Sequence, residues 1–377
     1  MKFHLKIIAI IILCCVNLNN LFSQKGDKMF RDSLDGAFDI STYLFELHGF
    51  LPIISPITEP ALGYGLVGAG VYFIPKKKTS KNEFKMPDIV GLGGGYTQNG
   101  TWFAGAGYIG FWRDDQLRYR GIFGYGDINL KFYGSGNDYL ANDPAEFSIN
   151  SFLFLQQAIL RIKKSHFFLG GKYFYAKTKV TAFEESKLPE VDPKDFEVII
   201  SGLGFISEYE SFNNILSPSK GIRIHLSYDQ HLKFLGSDQN NSKLTFFTLG
   251  YFPINKHWVS GLRVESILAS ENTPFYMMPY ISLRGVPLMR YQGALTMLAE
   301  TEQLISVYKR WSLVGFAGIG TTIPSLNDMT FGSTAWNAGA GFRYKIARLL
   351  GLQMGVDVAR GPEDWAFYIV FGNAWLK

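Results

Sequence analysis

The segment Trp336-Asn-Ala-Gly-Ala-Gly-Phe-Arg-Tyr-Lys-Ile346 alternates between two kinds of side chain. Trp336, Ala338, Ala340, Phe342, Tyr344 and Ile346 form an apolar set, and Asn337, Gly339, Gly341, Arg343 and Lys345 form a small or polar set. A period of two predicts a β-strand whose faces meet different surroundings. The segment Gly351–Ala359 repeats the pattern and places Asp357 on the small and polar face. A charge facing lipid costs about 2–4 kcal/mol at the membrane midplane, so we expect Arg343, Lys345 and Asp357 inside a barrel.

The same alternation recurs in sixteen segments from Gly63 onward, each bounded by turn residues. They are Gly63–Ile74, Asp88–Gln98, Trp102–Phe111, Gln116–Tyr125, Ile128–Gly134, Glu146–Arg161, Phe167–Thr178, Val198–Tyr209, Gly221–His231, Leu244–Phe252, Trp258–Ser270, Ala294–Val307, Trp311–Thr321, Thr334–Ile346, Leu350–Arg360 and Ala366–Trp375. A closed single-chain bacterial barrel requires an even number of strands. The sequence therefore predicts an all-β, 16-stranded antiparallel transmembrane barrel over residues 51–377.

Composition agrees with a membrane barrel. The chain is 47% hydrophobic, 16% aromatic and only 18% charged, with 40 Gly in 377 residues. After the first 25 residues no apolar run is long enough for a membrane helix. Trp102, Trp112, Trp258, Trp311 and Tyr251 lie near the ends of predicted strands, as a girdle of interfacial aromatic residues would. An antiparallel sandwich in water is the competing fold.

Residues 1–23 have the features of a secretory signal peptide, with Lys2 and Lys6 ahead of an apolar core. An N-terminal membrane anchor is the alternative. Both cysteines, Cys14 and Cys15, lie in this segment, so the exported chain is expected to hold no disulfide. Removal of two lysines lowers the formal charge from +5 to +3, since the segment holds no acidic residue. So small an excess predicts no nucleic-acid partner.

Residues 24–50 are predicted to be a short periplasmic leader. Phe30, Leu34 and Phe38 have the spacing of a short amphipathic helix, and a disordered or loosely docked segment is the alternative. The basic segment Lys76–Lys81 follows the first predicted strand. It would then be extracellular and could contact lipopolysaccharide phosphates, or it could simply be a solvated loop.

The sequence offers little for catalysis. His225 and Ser227 share a strand face, but a nucleophilic site also needs an orienting third group and a substrate cleft. No Gly-x-Ser-x-Gly or His-Glu-x-x-His motif occurs, and the glycines of Gly91–Tyr96 lie in a strand pattern with no helix after it. We therefore predict a protein that is not an enzyme and that binds no cofactor or metal.

The segment Asn272–Gly293 interrupts the repetitive pattern. It joins the eleventh and twelfth predicted strands and carries Arg284-Gly285 in apolar surroundings. We interpret it as a long loop that folds back into the barrel lumen.

Five patches of the sequence, in this order, resemble the barrel of the BamA/TamA-like superfamily, also called the bacterial surface antigen family. They are the opening Pro52–Gly65, the FYGxGN-like Phe132–Asn137, the DxRDNxxxPxxG-like Glu210–Gly221, the VRGF/Y-like Leu283–Val286 and the FxDxG-like Phe316–Gly320. The resemblance covers roughly residues 50–377. It is confined to the barrel, and the periplasmic POTRA domains of many relatives are not expected.

The resemblance implies that the motif Leu283, Arg284, Gly285 and Val286 lies in the lumen, with its arginine held by groups on neighbouring strands. The family's aspartate partner is replaced by Gly318 in this chain. A buried guanidinium without a partner is costly, and Glu302, Glu300 and Asp357 lie on faces predicted to point inward. These three are the candidate partners, with a solvated, unpaired Arg284 as the alternative.

The last predicted strand ends in Tyr368, Phe371, Gly372 and Trp375, which resemble the C-terminal insertion signal of outer-membrane barrels. The resemblance implies an integral outer-membrane protein of a Gram-negative bacterium that assists insertion or translocation of outer-membrane proteins. Its expected partners are outer-membrane lipid, lipopolysaccharide and other outer-membrane proteins, as clients or subunits. The alternative function is a passive pore, or a structural protein that keeps only the fold.

Overall fold

The computed structural model describes residues 30–46, 49–59, 61–76, 86–133, 145–182, 196–327 and 329–375. Within these ranges the chain forms one sheet of sixteen antiparallel strands, each paired with the next along the chain. The strands are β1 (Phe50–Ile57), β2 (Gly65–Ile74), β3 (Asp88–Thr97), β4 (Trp102–Trp112), β5 (Leu117–Phe132), β6 (Ala145–Arg161), β7 (Phe167–Ala182), β8 (Phe196–Glu210), β9 (Gly221–His231), β10 (Asn241–Pro253), β11 (Trp258–Ala269), β12 (Leu295–Tyr308), β13 (Trp311–Ile323), β14 (Thr334–Ala347), β15 (Leu352–Arg360) and β16 (Trp365–Phe371). The predicted 16-stranded, all-β barrel is confirmed.

The two faces of the strands differ as the alternation predicted. On β14, Trp336 and Phe342 are 47% and 40% exposed, whereas Asn337 and Arg343 are each 2% exposed. The sheet therefore turns large apolar side chains outward and buries polar ones inside. Trp102, Trp112, Trp258 and Trp311 are all 39–43% exposed at the first or last position of a strand. Tyr251 was wrongly placed among the exposed aromatic residues, because it is buried inside the barrel.

The strand count was right although two of the predicted strands were wrong. The first strand, Phe50–Ile57, was missed, and it holds two prolines, Pro52 and Pro56, which strands seldom accept away from an edge. β5 was split in two at Gly126-Asp127, a pair of residue types that are common in turns. In the structure Asp127 pairs with both neighbouring strands and accepts a hydrogen bond from Ser148 Oγ over 2.5 Å. The two errors cancel before β6, so the later strand numbers were unaffected.

The prolines of β1 lie on the side away from β2. Phe73 N donates to Gly49 O over 2.9 Å, so the residues of β1 with odd numbers direct their backbone groups at β2. The nitrogens of Pro52 and Pro56 therefore face the other edge, where β16 lies. A proline nitrogen carries no hydrogen, so two of the donor positions along that edge are lost.

β1 and β16 close the barrel side by side. The Thr58 hydroxyl donates to Phe367 O, but in the part of the chain that the structure describes no backbone ladder joins the two strands. This junction, the β1–β16 seam, is the weakest contact between neighbouring strands of the sheet.

Residues 30–46 pack against one end of the barrel. Arg310, in the turn between β12 and β13, contacts Asp32 at 2.5 Å, Asp35 at 2.8 Å and Asp39 at 2.6 Å. Phe30, Leu34 and Phe38 do not form the helix allowed by their spacing, since Arg31 and Phe38 join in a β-bridge. Leu34 is exposed. Three ion pairs to Arg310 therefore hold residues 30–46 firmly against the barrel, and the segment is not loosely docked.

The helix of this segment, α1 (Ser41–Glu46), spans the seam. Ile40 and Leu44 pack in one cluster with Phe73 of β2, and with Ile346 and Leu350 from β14 and the turn after it. Ile40 N also donates to Ile346 O over 2.7 Å. The segment thus links strands on both sides of the β1–β16 seam. No helix in the described ranges is long and apolar enough to cross a membrane.

Lys76, the first residue of the basic segment, lies at the other end of the barrel from the one predicted. With the missed strand restored, Lys76 follows β2, at the same end as residues 30–46. The described part of the segment is Lys76, which pairs with Asp88 at 2.7 Å, and residues 77–85 lie outside the described residues. The strand order therefore removes the argument for an extracellular contact with lipopolysaccharide here.

Candidate functional site: the Arg284 cluster

The segment between β11 and β12 folds as an irregular hairpin. Tyr280 and Gln292 form an antiparallel bridge, and Ile281 N donates to Tyr291 O over 3.0 Å. At its tip Val286 N donates to Leu283 O over 3.1 Å, which closes a turn around Arg284. The tip is held by apolar contacts as well. Ile281, Leu283 and Val286 are buried in one cluster with Leu298 of β12 and Ala335 of β14.

Arg284 contacts all three of the carboxylates considered from sequence. Its Nε and Nη2 donate to Glu300 Oε1 over 3.1 and 3.0 Å, and Nη1 donates to Glu302 Oε2 over 2.9 Å. Nη1 also donates to Asp357 Oδ2 over 2.7 Å. The guanidinium carbon lies 3.5 Å from the ring centre of Phe316, a cation–π contact. Arg284 is therefore paired in the structure, in contrast to the alternative of a solvated, unpaired arginine.

Glu300 joins the loop to three strands and the C-terminus. Besides Arg284, Oε1 accepts a hydrogen bond from Asn337 Nδ2 over 3.0 Å. Oε2 accepts from Trp375 Nε1 over 2.6 Å, and Arg263 Nη1 lies 3.5 Å from it. Glu300 is 1% exposed. Both oxygens of this buried carboxylate therefore accept hydrogen bonds, as buried polar groups in proteins almost always do.

Two further arginines complete the cluster. Arg343 of β14 binds Asp357 at 2.5 and 2.9 Å. Arg263 of β11 donates to Glu265 Oε2 over 3.1 Å and to Ser282 O, next to the motif, over 3.1 Å. Three guanidinium groups thus face four carboxylates, since Glu265, Glu300, Glu302 and Asp357 take part. Such a network is stable only while each charge keeps its partners.

Two glycines, Gly285 and Gly361, allow the backbone of the motif to approach the backbone that follows β15. Gly285 has φ +82°, and a Cβ there would lie 2.9 Å from Gly361 N. In return, a Cβ on Gly361 would lie 2.2 Å from Gly285 O. Gly285 N also donates to the hydroxyl of Tyr368 over 2.9 Å. The loop tip therefore lies directly against the end of β15 and the inner face of β16.

The structure explains the glycine at position 318. Glu300 pairs with Gly318, and Gly318 pairs with Asn337, across β12, β13 and β14. A Cβ at Gly318 would lie 2.7 Å from Asn337 Oδ1 and 3.0 Å from Leu283 Cδ2. The space that the resemblance allots to an aspartate is thus filled by neighbours. The carboxylate that holds Arg284 stands one strand away, on β12.

The C-terminal residues depart from the predicted strand. β16 ends at Phe371, and Gly372 takes φ +72°. Trp375 turns back into the barrel, where it is buried with Phe247, Leu249 and Tyr251. The strand predicted to reach Trp375 is therefore too long. Whether Tyr368, Phe371, Gly372 and Trp375 act as an insertion signal stays a prediction.

Sequence reasoning missed Trp375, Arg263 and Asn337 as members of the cluster. Asn337 carried a usable signal, because it lies on the same strand face as Arg343. Arg263 carried the same signal, since it alternates with Leu262 and Val264. Trp375 carried none, because its contact depends on a turn after β16 that brings distant segments together.

The histidine and serine considered for catalysis do not form a pair. His225 Nδ1 lies 3.0 Å from Glu208 Oε2, and its ring stacks on Phe247 with 4.7 Å between ring centres. No hydrogen bond joins His225 to Ser227 in the described hydrogen-bond network. In the described ranges no group of three His, Cys, Asp or Glu is placed to hold a metal.

Comparison with known proteins shows that the fold of this chain is similar to those of several solved structures. Neither a protein-family model nor a curated protein matches the sequence. BamA from Haemophilus ducreyi lacking POTRA domains 1–3 matches with a TM-score of 0.58 and 12% identity, over 94% of this chain and 82% of that chain.

CdiB from Acinetobacter baumannii has a TM-score of 0.58 and 10% identity, over 86% of this chain and 59% of that chain. CdiB from Escherichia coli has a TM-score of 0.60 and 10% identity, over 85% of this chain and 62% of that chain. This chain thus spans less than two thirds of either CdiB chain. The fold of this chain is thus similar to the barrel folds of BamA and CdiB.

Proposed function

We propose that this barrel lies in the bacterial outer membrane and assists the insertion or translocation of outer-membrane proteins. The observation that carries the proposal is the β1–β16 seam, where two strand edges lie together without a ladder. An extended client segment can add to an unpaired edge by backbone hydrogen bonds. The exposed apolar outer face supports a membrane location.

The seam is weak for a reason in the sequence. Pro52 and Pro56 remove two donors from the edge of β1 that faces β16. The edge keeps its carbonyl oxygens, which a client strand could use as acceptors. Opening the seam therefore costs fewer hydrogen bonds than opening any continuous ladder of this sheet.

The Arg284 cluster would keep the rest of the barrel rigid while the seam opens. It ties the loop to β12 through Glu300 and to β15 through Asp357. Tyr368 of β16 binds the same loop through Gly285 N. In this mechanism the loop folds into the lumen and stabilises the C-terminal side of the seam.

The first test is depletion of the protein in its host, followed by measurement of other outer-membrane proteins. We expect their levels in the membrane to fall. Unchanged levels would remove the assembly role. A large, steady conductance of the purified protein in planar bilayers would then favour the passive pore.

The second test locks the seam. Thr58→Cys with Phe367→Cys places two thiols across it, and Ile54→Cys with Gly68→Cys joins β1 to β2 as a control. Under oxidation we expect the first pair, and not the second, to block insertion of a client into liposomes containing the protein. Equal insertion by both oxidised pairs would exclude the seam as the route.

A further inference from the structure

The barrel interior on the β2–β8 side is apolar, although the interior of an outer-membrane barrel is usually polar. It holds a partly open cavity of about 1050 Å³ whose walls include Val67, Ala69, Ile109, Ile122, Leu153 and Phe174. Ligand cavities in proteins commonly measure about 300–1,000 Å³. We call this cavity the apolar chamber.

Strand register shows that these side chains face inward. Ile122 pairs with Gly107 on β4 and with Leu155 on β6, on the same face as Arg120. Ile122 nevertheless remains 37% exposed, so its surface faces the chamber and not packed protein. Leaving such apolar surface in contact with water is unfavourable in proportion to its area.

The two ends of the chamber differ. Tyr276 and Met277, from the loop between β11 and β12, line one end. Leu216, from the turn between β8 and β9, lines the other, together with a group of charged side chains. That group comprises Arg118, Arg120, Arg223, Glu208 and Glu210, so three positive and two negative charges leave one net positive charge.

We propose that the apolar chamber binds a single acyl chain whose anionic head group lies against the arginine-rich end. The glycines of the wall make room for the chain. A Cβ on Gly107 or Gly124 would come no closer than 3.6 and 3.9 Å to any atom. A free fatty acid and a lysophospholipid share this chemistry, and the proposal does not depend on the assembly role.

The test uses the full chain in lipid nanodiscs with a photoactivatable palmitic acid, and mass spectrometry maps the labelled residues. We expect labelling of Ile122 and Leu153, inside, as well as Phe123, outside. Excess oleate should suppress the inner labels and leave Phe123 labelled. Lysophosphatidylglycerol, whose head group is anionic, is the second competitor. The competitor that suppresses the inner labels more strongly identifies the source of the chain. Labels confined to the outer face, or inner labels that neither competitor reduces, would overturn the proposal.

Three variants sharpen the test. Gly107→Leu with Gly124→Leu fills the chamber and should abolish the inner labels, whereas Gly68→Leu, with nothing within 4 Å on the outer face, should keep them. Arg120→Gln should weaken labelling by the acid about tenfold and leave a fatty-alcohol probe unaffected. Equal effects on both probes would remove the head-group assignment. If the filled variant fails to fold, judged by its mobility on a semi-native gel, the competition on the unmodified chain still decides.

Discussion

Trp375 donates its indole N–H to Oε2 of Glu300 over 2.6 Å. The other oxygen of that carboxylate receives Arg284 from the loop between β11 and β12. The C-terminal residues and the loop are thereby bound to one side chain of β12. Loss of either partner would disturb both, because Glu300 is buried and cannot turn to water instead.

Arg284→Ala should lower the stability of the barrel strongly. It leaves Glu300, Glu302 and Asp357 close together without their shared cation, and breaking a buried ion pair costs about 3–5 kcal/mol. Arg284→Lys should recover only part of the loss, since a single ammonium cannot reproduce the fork of a guanidinium. The temperature at which the folded band disappears on a semi-native gel measures the effect, and bilayer conductance should rise.

Arg290→Ala is the matched control in the same loop. Its partner, Glu363, is 28% exposed at the side chain, and the pair spans 3.2 Å. Because Glu363 keeps contact with water, whereas Glu300 and Asp357 do not, loss of this pair should cost less than loss of Arg284. If Arg290→Ala and Arg284→Ala lower the unfolding temperature equally, the cluster has no special role.

Trp375→Phe separates a structural role of this residue from a signalling role. The substitution keeps a terminal aromatic ring and removes the donor to Glu300. A hydrogen bond to a charged group contributes about 1.5–3 kcal/mol, so the assembled barrel should unfold at a lower temperature. The amount of barrel in the membrane, measured by immunoblot, should stay unchanged. A fall in amount with normal unfolding would assign Trp375 to insertion instead.

Gly318→Asp restores the residue that the family resemblance implies, and we expect it to destabilise this barrel. Its Cβ would lie 2.7 Å from Asn337 Oδ1, and its carboxylate would add charge beside Glu300. Overpacking of this kind costs about 1–3 kcal/mol. Gly318→Ala reports the crowding alone and should be milder. A more stable Gly318→Asp protein would contradict the assignment of Glu300 as the replacement.

Acid should release residues 30–46 from the barrel end. The hydrogen bond from Arg348 lowers the pKa of Asp32 from 3.8 to about 2. A carboxyl with a lowered folded-state pKa stabilises the fold fully above its ordinary pKa, and that stability is lost as the pH falls toward about 2. Pepsin cleavage near Phe38 should therefore rise as the pH falls from about 4 to about 2. Asp32→Asn should be cleaved at the upper pH already, and equal cleavage of both proteins there would refute the ionic tie.

A rise in pH to neutrality should loosen the contact between the β1–β2 loop and the loop that carries Arg284. Glu59 Oε1 accepts a hydrogen bond from Leu288 N over 3.1 Å. Burial raises the pKa of Glu59 from 4.5 to about 7. A raised acid pKa makes the contact most stable below 4.5 and weaker as the pH rises through about 7. Glu59→Gln should remove this pH dependence of the unfolding temperature. The control is Glu271→Gln, in the loop that carries Arg284, which should preserve the pH dependence.

The sequence was enough to predict which face of a strand a side chain lies on, but not which side chains it contacts. Alternation placed Asn337, Arg343 and Asp357 inside, because side-chain direction along a strand depends only on residue parity. The missed strand Phe50–Ile57 holds Pro52 and Pro56, whose tolerance depends on which edge of the strand is unpaired. Glu302, Glu300 and Asp357 could be named as candidates, but sequence could not reveal that Arg284 binds all three.

By itself the sequence determined the architecture: a period of two, repeated along the chain, leaves a sheet with one apolar and one mixed face, and a barrel closes that sheet. Tertiary structure decided the rest. β12, β13, β14 and β15 bring Glu300, Gly318, Asn337 and Asp357 to one place, although 57 positions separate the first from the last. Only this register and the turn at Gly372 show that Arg284 and Trp375 share a carboxylate, because both contacts are made across the interior and not along the chain.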